Sequence, residues 1–167
     1  MKLKTLCFTG HRSIPADKLE YVRGELRREI EAAIADGYTH FISGFADGVD
    51  QLAAALVLEQ QRIHPNLHLE AALPYRNRVK ALLTKPETKA LLEGCTIVAV
   101  RHEDYSRDCF MLRNRYMVQN STRLIAVYDG RPTGGTMQTI GFARIYELDT
   151  VHYKAMTLPT KGQGRRR

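Results

Sequence analysis

Five times along the chain, a short run of aliphatic, aromatic and β-branched residues ends at a turn and gives way to a helical pattern. Thr5-Leu6-Cys7-Phe8-Thr9 reads as the first strand and stops at Gly10. Pro15 can open the helix that follows, in which Leu19, Val22, Leu26, Ile30, Ala33 and Ile34 recur at three- and four-residue steps. The charges between them form its solvated face, and Gly37 is placed to end it as a left-handed cap. Thr39 to Ser43 is a second strand, and the helix after it carries Val49, Leu52, Ala53, Leu56 and Ile63 before Pro65 and Asn66. Leu67 to Leu73 is a third strand, closed by Pro74, and a weaker helical region from about Arg78 to Leu92 is interrupted near Pro86. Thr96 to Val100 is the fourth strand, Cys109 to Gln119 a helix, and Leu124 to Tyr128 the fifth strand. Gly134-Gly135-Thr136 opens a last helix through Ile140, Ala143 and Glu147, and Val151-His152-Tyr153 reads as a sixth, edge strand.

Strands that alternate with helices and are apolar nearly throughout belong in a mostly parallel sheet buried on both faces. The expected fold class is therefore α/β: a Rossmann-like, doubly wound sheet of about five to six strands with helices on both faces. With 167 residues, 44% hydrophobic and 26% charged, the chain is long enough for one well-buried domain and too apolar for disorder. We place that domain at residues 1–158 and a basic tail, expected to be disordered, at 159–167. No apolar run approaches the roughly 20 residues of a membrane span, and no secretory leader is evident, so a cytoplasmic protein with no membrane partner is expected. Cys7, Cys95 and Cys109 are odd in number and lack metal or disulfide spacing; Cys7 and Cys95 lie in apolar runs and read as core. The net charge of +7 invites a nucleic-acid reading, but four of those charges are Lys161, Arg165, Arg166 and Arg167, which leaves +3 for residues 1 to 160.

In a parallel sheet the loops leaving the carboxyl ends of the strands emerge along one edge, where ligands bind. Three of these loops are glycine-rich: Thr9-Gly10-His11-Arg12, Ser43-Gly44-Phe45-Ala46-Asp47-Gly48, and Asp129-Gly130 followed by Gly134-Gly135-Thr136. Taken singly, each glycine need only permit a tight turn. Taken together, glycines between strand ends and helix starts, with hydroxyls at Thr9, Ser43 and Thr136 and the charge of Arg12, suggest a cradle for a phosphate-bearing ligand. Neither GxGxxG nor GxxxxGK[ST] is present, which argues against ordinary dinucleotide binding and Walker-type NTP hydrolysis. Arg113 and Asn114, late in the fourth-strand helix, read from spacing alone as surface residues. His64 and His68 are separated by Pro65, and His102, Asp104, Asp108 and Cys109 lack zinc-type spacing, so no metal site is expected. No catalytic triad can be assembled, and no aromatic platform interleaved with basic residues is evident for single-stranded nucleic acid.

From about Thr5 to Val151 the chain resembles the SLOG superfamily, named for the SMF/DprA and LOG proteins, in its YpsA/YoqJ-like branch. The resemblance rests on Phe8-Thr9-Gly10-His11-Arg12, on Ser43-Gly44-Phe45-Ala46-Asp47-Gly48-Val49-Asp50, on Pro74-Tyr75, on Arg113-Asn114-Arg115-Tyr116-Met117-Val118, and on Leu124 through Gly130 with Gly134-Gly135-Thr136. It implies a Rossmann-like domain that binds a nucleotide or nucleotide derivative, ADP-ribose-like in type, with the glycine loops as phosphate cradle. It brings Asp50, Pro74, Tyr75, Arg113, Asn114 and Asp129 to the pocket as well. The chain departs from the branch at Ser13, where Pro is usual, at Gln119 and Thr122, where Asp is usual, and at Arg78, where Gln is usual. A tryptophan typical of the branch is also missing, since this protein has none.

Related LOG-type phosphoribohydrolases carry PGGxGTxxE, whose glutamate serves N-glycosidic cleavage. The corresponding stretch here is Thr133-Gly134-Gly135-Thr136-Met137-Gln138-Thr139, shorter between the glycine pair and the threonine and without a carboxylate until Glu147. Neutral side chains at Gln138 and Thr139 cannot replace a carboxylate in offsetting oxocarbenium-like charge. The expectation is binding or sensing without hydrolysis, by a protein with no cofactor beyond a nucleotide-type ligand, with a homo-oligomer compatible with the sequence. Hydrolysis assisted by Asp47, Asp50 or Asp129 is the enzymatic alternative, and DprA-like single-stranded nucleic-acid binding is the third class.

Overall fold

The computed structural model describes residues 3–131 and 133–152. Six parallel strands form one sheet in the order β4-β3-β2-β1-β5-β6. They are β1 (Thr5–Gly10), β2 (His40–Ser43), β3 (His68–Leu73), β4 (Ile97–Val100), β5 (Arg123–Val127) and β6 (Asp149–His152). The helices are α1 (Leu19–Ala35), α2 (Val49–Gln61), α3 (Asn77–Leu83), α4 (Pro86–Glu93), α5 (Cys109–Gln119) and α6 (Gly135–Ile145). This is the doubly wound Rossmann-like class that the sequence leads one to expect. The basic tail at 159–167 and the final residue of the expected sixth strand, Tyr153, lie outside the described residues.

Alternation along the central strands divides the core in two. Leu6 and Phe8 of β1, Phe41 of β2, Leu69, Ala71 and Leu73 of β3, and Ile125 and Val127 of β5 face one side. There they bury against Val22, Leu26, Ile30 and Ala33 of α1, Val49, Ala53, Ala54 and Val57 of α2, and Leu82 and Leu92 of α3 and α4. Cys7, Ile42, Ala72, Leu124 and Ala126 point to the other side and pack on Met117 and Val118 of α5 and Ile140 and Ala143 of α6. Residues one step apart on β1 therefore belong to different cores, as the period-two geometry of a strand requires. Cys95 packs half-buried against the first core and Cys109 is fully buried.

Local differences have local causes. Pro15 precedes a short 3-10 turn, Ala16–Lys18, rather than the α-helix itself. Gly37 has φ +91, the left-handed cap. Ile63 lies beyond the end of α2 and is exposed, so it is not part of that helix's apolar face. The last helix ends at Ile145 instead of reaching Glu147, which itself sits at φ +55. Burial on both faces also fails at β4, whose Ile97 and Val98 are exposed on the sheet margin. Among the described residues no helix is long and apolar enough to cross a membrane.

Candidate functional site

The chain adds β2, β3 and β4 outward from one side of β1 and then crosses back to lay β5 on the other side. The loops after β1 and β5 consequently diverge, one to each face, and leave a crevice at their carboxyl ends. That crevice is a cleft of about 350 Å³. Thr9, Gly10, His11, Arg12 and Ser13 come from β1 and its loop, and Ala46 and Asp50 from the passage into α2. Arg113, Asn114 and Met117 project from α5, Arg131, Thr133 and Gly134 belong to the β5–α6 connection, and Gly135 and Thr136 open α6.

Of the residues singled out in the sequence, Thr9, Gly10, His11, Arg12, Asp50, Arg113, Asn114, Gly134, Gly135 and Thr136 line this cleft together. The others form its supports or lie apart from it. Ser43 Oγ accepts from the Phe45 N–H (3.2 Å) and donates to the Asp50 carbonyl (2.8 Å), which folds the β2–α2 loop over. Gly48 has φ +80, and a Cβ there would stand 2.5 Å from the His11 carbonyl oxygen, so glycine alone lets the first two loops meet. Asp47 is exposed and accepts from Gln51 Nε2 at 3.1 Å. Pro74 is buried at the end of β3 beside Tyr75, and Gly130 is exposed at φ +85. Ser13, Ala46, Met117 and Thr133, which the sequence motifs carry without marking as ligand-facing, also line the cleft, and so does Arg131, for which the sequence held no signal.

Burial corrects the surface reading of both α5 residues, since Asn114 is 8% and Arg113 5% exposed. Arg113 Nη1 donates to the Gly44 carbonyl at 2.7 Å and its Nε to Asn114 Oδ1 at 2.9 Å. A Cβ on Gly44 would lie 2.9 Å from both Arg113 Nη1 and Asp50 Oδ2, so the missing side chain is what admits the two charges side by side. Burial pushes the Asp50 carboxyl up to about 6, against the pull of Arg113, the Ala46 N–H and Arg12. Asp50 Oδ2 accepts from Ala46 N at 3.4 Å, closing the loop ahead of α2, whereas the buried Oδ1 has no hydrogen-bond partner.

His11 is the pivot of the opposite wall. Its Nε2 accepts from the Asp129 N–H at 3.0 Å, and Asp129 Oδ1 lies 3.2 Å from the same nitrogen. Burial lowers the imidazole below its ordinary range despite that carboxylate, which suits the neutral, accepting form. Burial tends to raise Asp129, but hydrogen bonds from the Arg131 N–H and guanidinium outweigh it and hold the carboxyl low. The cleft thus presents Arg12, Arg113 and Arg131 against the single lining carboxylate of Asp50, together with the first residues of α6. Such a surface attracts anions, and the unpaired N–H groups at a helix start receive them.

Tyr75, Tyr105 and Phe110 are scattered in sequence but meet in space beside Arg12 and Arg113. A cluster of three edge-to-face rings, with two guanidiniums near Phe110, is thus present although no contiguous motif encodes it. At the place of the hydrolase glutamate, Gln138 is exposed and Thr139 Oγ1 turns back to donate to the Gly135 carbonyl at 2.9 Å. Among the described residues, no three His, Cys, Asp or Glu side chains gather into a cation site.

An all-parallel, doubly wound sheet with a cationic cleft at its switch point defines a Rossmann-like α/β protein. The model of the YspA SLOG family (YpsA) matches residues 6–159, and the chain belongs to that family. It is 26% identical over 144 residues to a UPF0398 protein of Bacillus pumilus, covering 83% of this chain and 76% of that protein. A UPF0398 protein of Bacillus thuringiensis is 26% identical over 132 residues, covering 75% and 71%. The fold is similar to that of DNA processing protein A (DprA) from Streptococcus pneumoniae, with a TM-score of 0.65 at 17% identity. That likeness covers 93% of this chain but 53% of DprA, so the chain spans about half the length of that protein. TM1055, a structural-genomics target, gives a TM-score of 0.61 at 16% identity, covering 92% of this chain and 76% of its own. DprA from Helicobacter pylori, whose structure addresses a single-stranded DNA binding mode, gives 0.60 at 18%, covering 89% and 64%.

Proposed function

We propose that the protein binds a nucleotide or nucleotide derivative, ADP-ribose-like in type, and acts as a binding or sensing protein without cleaving the N-glycosidic bond. The observation that carries this reading is the cleft at the switch point, where the α6 N-terminus at Gly134-Gly135-Thr136 faces the loop Gly10-His11-Arg12 and the buried Arg113. A phosphate there receives backbone N–H groups, the favourable end of a helix dipole and guanidinium charge at once.

The test is binding of AMP and ADP-ribose by calorimetry and thermal shift, with Gly135→Asp as the disabling variant. Gly135 is not in the left-handed region, and a Cβ there meets only Asn114 Nδ2, at 3.8 Å, so the variant should fold. Its carboxylate would sit where phosphate is received and abolish binding. A wild-type protein that binds neither compound, or a variant that binds both as before, overturns the reading.

Asp50 also favours a second reading. A cleft carboxyl pushed up to about 6 lies in the range of a general acid or base, which would make the protein a LOG-like phosphoribohydrolase with Asp50 in place of the absent glutamate. Single-stranded DNA binding, by analogy with the DprA fold, predicts instead that oligonucleotides bind a chain truncated after Leu158 as they bind the intact one; loss with the tail marks nonspecific charge attraction.

A further inference from the structure

Three rings from separate segments meet at one flank of the cleft. Tyr75 lies in the β3–α3 connection, Tyr105 in the β4–α5 connection and Phe110 in the first turn of α5. Their centroids are 5.6 Å (Tyr75–Tyr105), 6.2 Å (Tyr75–Phe110) and 6.4 Å (Tyr105–Phe110) apart, at interplanar angles of 89°, 83° and 65°. This mutual edge-to-face arrangement is a favourable one for aromatic quadrupoles. The two connections are tied together beneath it. The Arg76 N–H donates to the His102 carbonyl at 3.0 Å, and the Arg76 guanidinium grips Glu103 through Nη2 (2.6 Å) and Nε (3.2 Å). Yet the rings are not core: Tyr75 and Phe110 are half-buried, and Tyr105 is 66% exposed. The cluster abuts the cleft through residues that line it, since the guanidinium carbon of Arg12 lies 5.4 Å and that of Arg113 5.8 Å from the Phe110 centroid.

We infer that the Tyr75–Tyr105–Phe110 cluster is the subsite for a planar aromatic base, stacked on Tyr105 beside Arg12. This rests on the nucleotide reading above and assigns the other end of the same ligand. The geometry gives the ligand its polarity. Gly135 is within 4 Å of Asn114 Nδ2 by its absent Cβ, Asn114 holds Arg113, and Arg113 lies against Phe110. Phosphate at α6 and base at Tyr105 are therefore joined by one continuous wall that the sugar crosses past Asp50. Stacking needs a π face rather than a hydrogen-bonding edge, so this subsite ranks bases by ring area and not by identity; purines precede pyrimidines, and adenine and guanine are close.

The experiment uses the full chain, with Tyr105→Ala and Tyr105→Phe, and titrates AMP, GMP and ribose 5-phosphate. The protein has no tryptophan, so tyrosine emission reports a stacked base directly, alongside calorimetry. The expected result is that Tyr105→Ala weakens AMP and GMP by about tenfold or more and loses the base-dependent quenching, while Tyr105→Phe retains affinity. Ribose 5-phosphate, which lacks the base, binds Tyr105→Ala as it binds wild type. Unchanged AMP affinity and quenching in Tyr105→Ala overturns the base subsite while leaving the phosphate cradle standing. Failure of the wild type to bind any of the three overturns the nucleotide reading and this subsite with it. Single-stranded oligothymidylate binding that depends on Tyr105, with no mononucleotide binding, overturns the subsite in favour of a nucleic-acid surface.

Discussion

The Arg113 guanidinium donates to the Gly44 carbonyl at 2.7 Å and so fastens α5, which precedes β5, to the loop that follows β2. The same guanidinium stands beside the Asp50 carboxylate across the space where a Gly44 side chain would be. Two ionisable groups are buried by this arrangement, and each makes the other tolerable. The desolvation of one charge is offset only while its partner and the carbonyl dipoles remain in place.

Arg113→Met is expected to destabilise the fold by roughly 3 kcal/mol, because it strands Asp50 and leaves the Gly44 carbonyl without its donor. Urea unfolding of Arg113→Met, Asp50→Asn and the double variant measures the coupling. A favourable interaction appears as a double variant less destabilised than the sum of the singles. Additivity within about 0.5 kcal/mol would show that the two groups do not depend on one another.

Glycines in the cradle separate into structural and ligand-facing ones. Gly48→Ala places a methyl group 2.5 Å from the His11 carbonyl oxygen at φ +80, and a loss of more than about 2 kcal/mol is expected from clash and left-handed strain together. Gly135→Ala meets open space except for Asn114 and should change stability by no more than about 0.5 kcal/mol. Thermal unfolding of both variants decides it, and equal losses would contradict the division.

Periodicity made the scaffold legible because the pattern and the packing obey the same geometry. Val22, Leu26, Ile30 and Ala33 are both the spaced apolar positions and the buried face of α1, and α5 spans the residues its pattern indicated. The glycine loops were legible for a similar reason: a parallel sheet sends every such loop to one edge. Arg113 was not, since its burial depends on the Gly44 carbonyl, 69 positions away, and nothing in its own helix records that partner. Phe45 is a sharper case. It is fully buried at φ +56, a left-handed conformation that costs an aromatic residue roughly 1–2 kcal/mol, and only the folded loop can impose it. The Tyr75–Tyr105–Phe110 cluster was not legible because the β3–α3 connection had to meet the β4–α5 connection and the first turn of α5 before it existed.

Acidification should loosen the cleft through His11. The unfolded imidazole takes up a proton near its ordinary value of 6.5, whereas burial lowers the folded value. Protons therefore favour the unfolded chain, and this contribution to stability is lost as pH falls from above 6.5 towards the lower folded value. Asp50 acts in the opposite sense over about 6 to 3.8, where protonation relieves a buried charge. The His11 term is isolated by subtracting the stability–pH curve of His11→Gln, whose amide oxygen can replace the accepting nitrogen. A difference that is flat through and below pH 6.5 would contradict a neutral His11 in the folded protein.

Thiol reactivity should follow burial. Cys7 is fully enclosed and its thiol is pushed up to about 12 by burial, and half-buried Cys95 is raised to about 12 by the same cause. At pH 8 a small alkylating reagent should leave Cys7 unmodified in the native protein and label it promptly in denaturant. Peptide mass analysis reads the site directly; native-state labelling of Cys7 would reveal local opening of the second core.

The hydrolytic alternative turns on where negative charge is available. Cleavage of an N-glycosidic bond builds positive charge on the ribose, and a carboxylate close to that carbon is the economical way to offset it. The first turns of α6 supply none: Gln138 is exposed, and the Thr139 hydroxyl is committed to the Gly135 carbonyl. Asp50 does reach the cleft, but its charge already faces Arg113 and Arg12, and a carboxylate so paired is poor at stabilising a cation forming elsewhere. Incubation with AMP should therefore yield no adenine or ribose 5-phosphate above the buffer control, even at concentrations that saturate binding. Chromatography of the free base reads the reaction, and Asp50→Asn and Asp129→Asn should change nothing. Turnover that disappears in Asp50→Asn would instead make that carboxylate the catalytic group and the protein a phosphoribohydrolase.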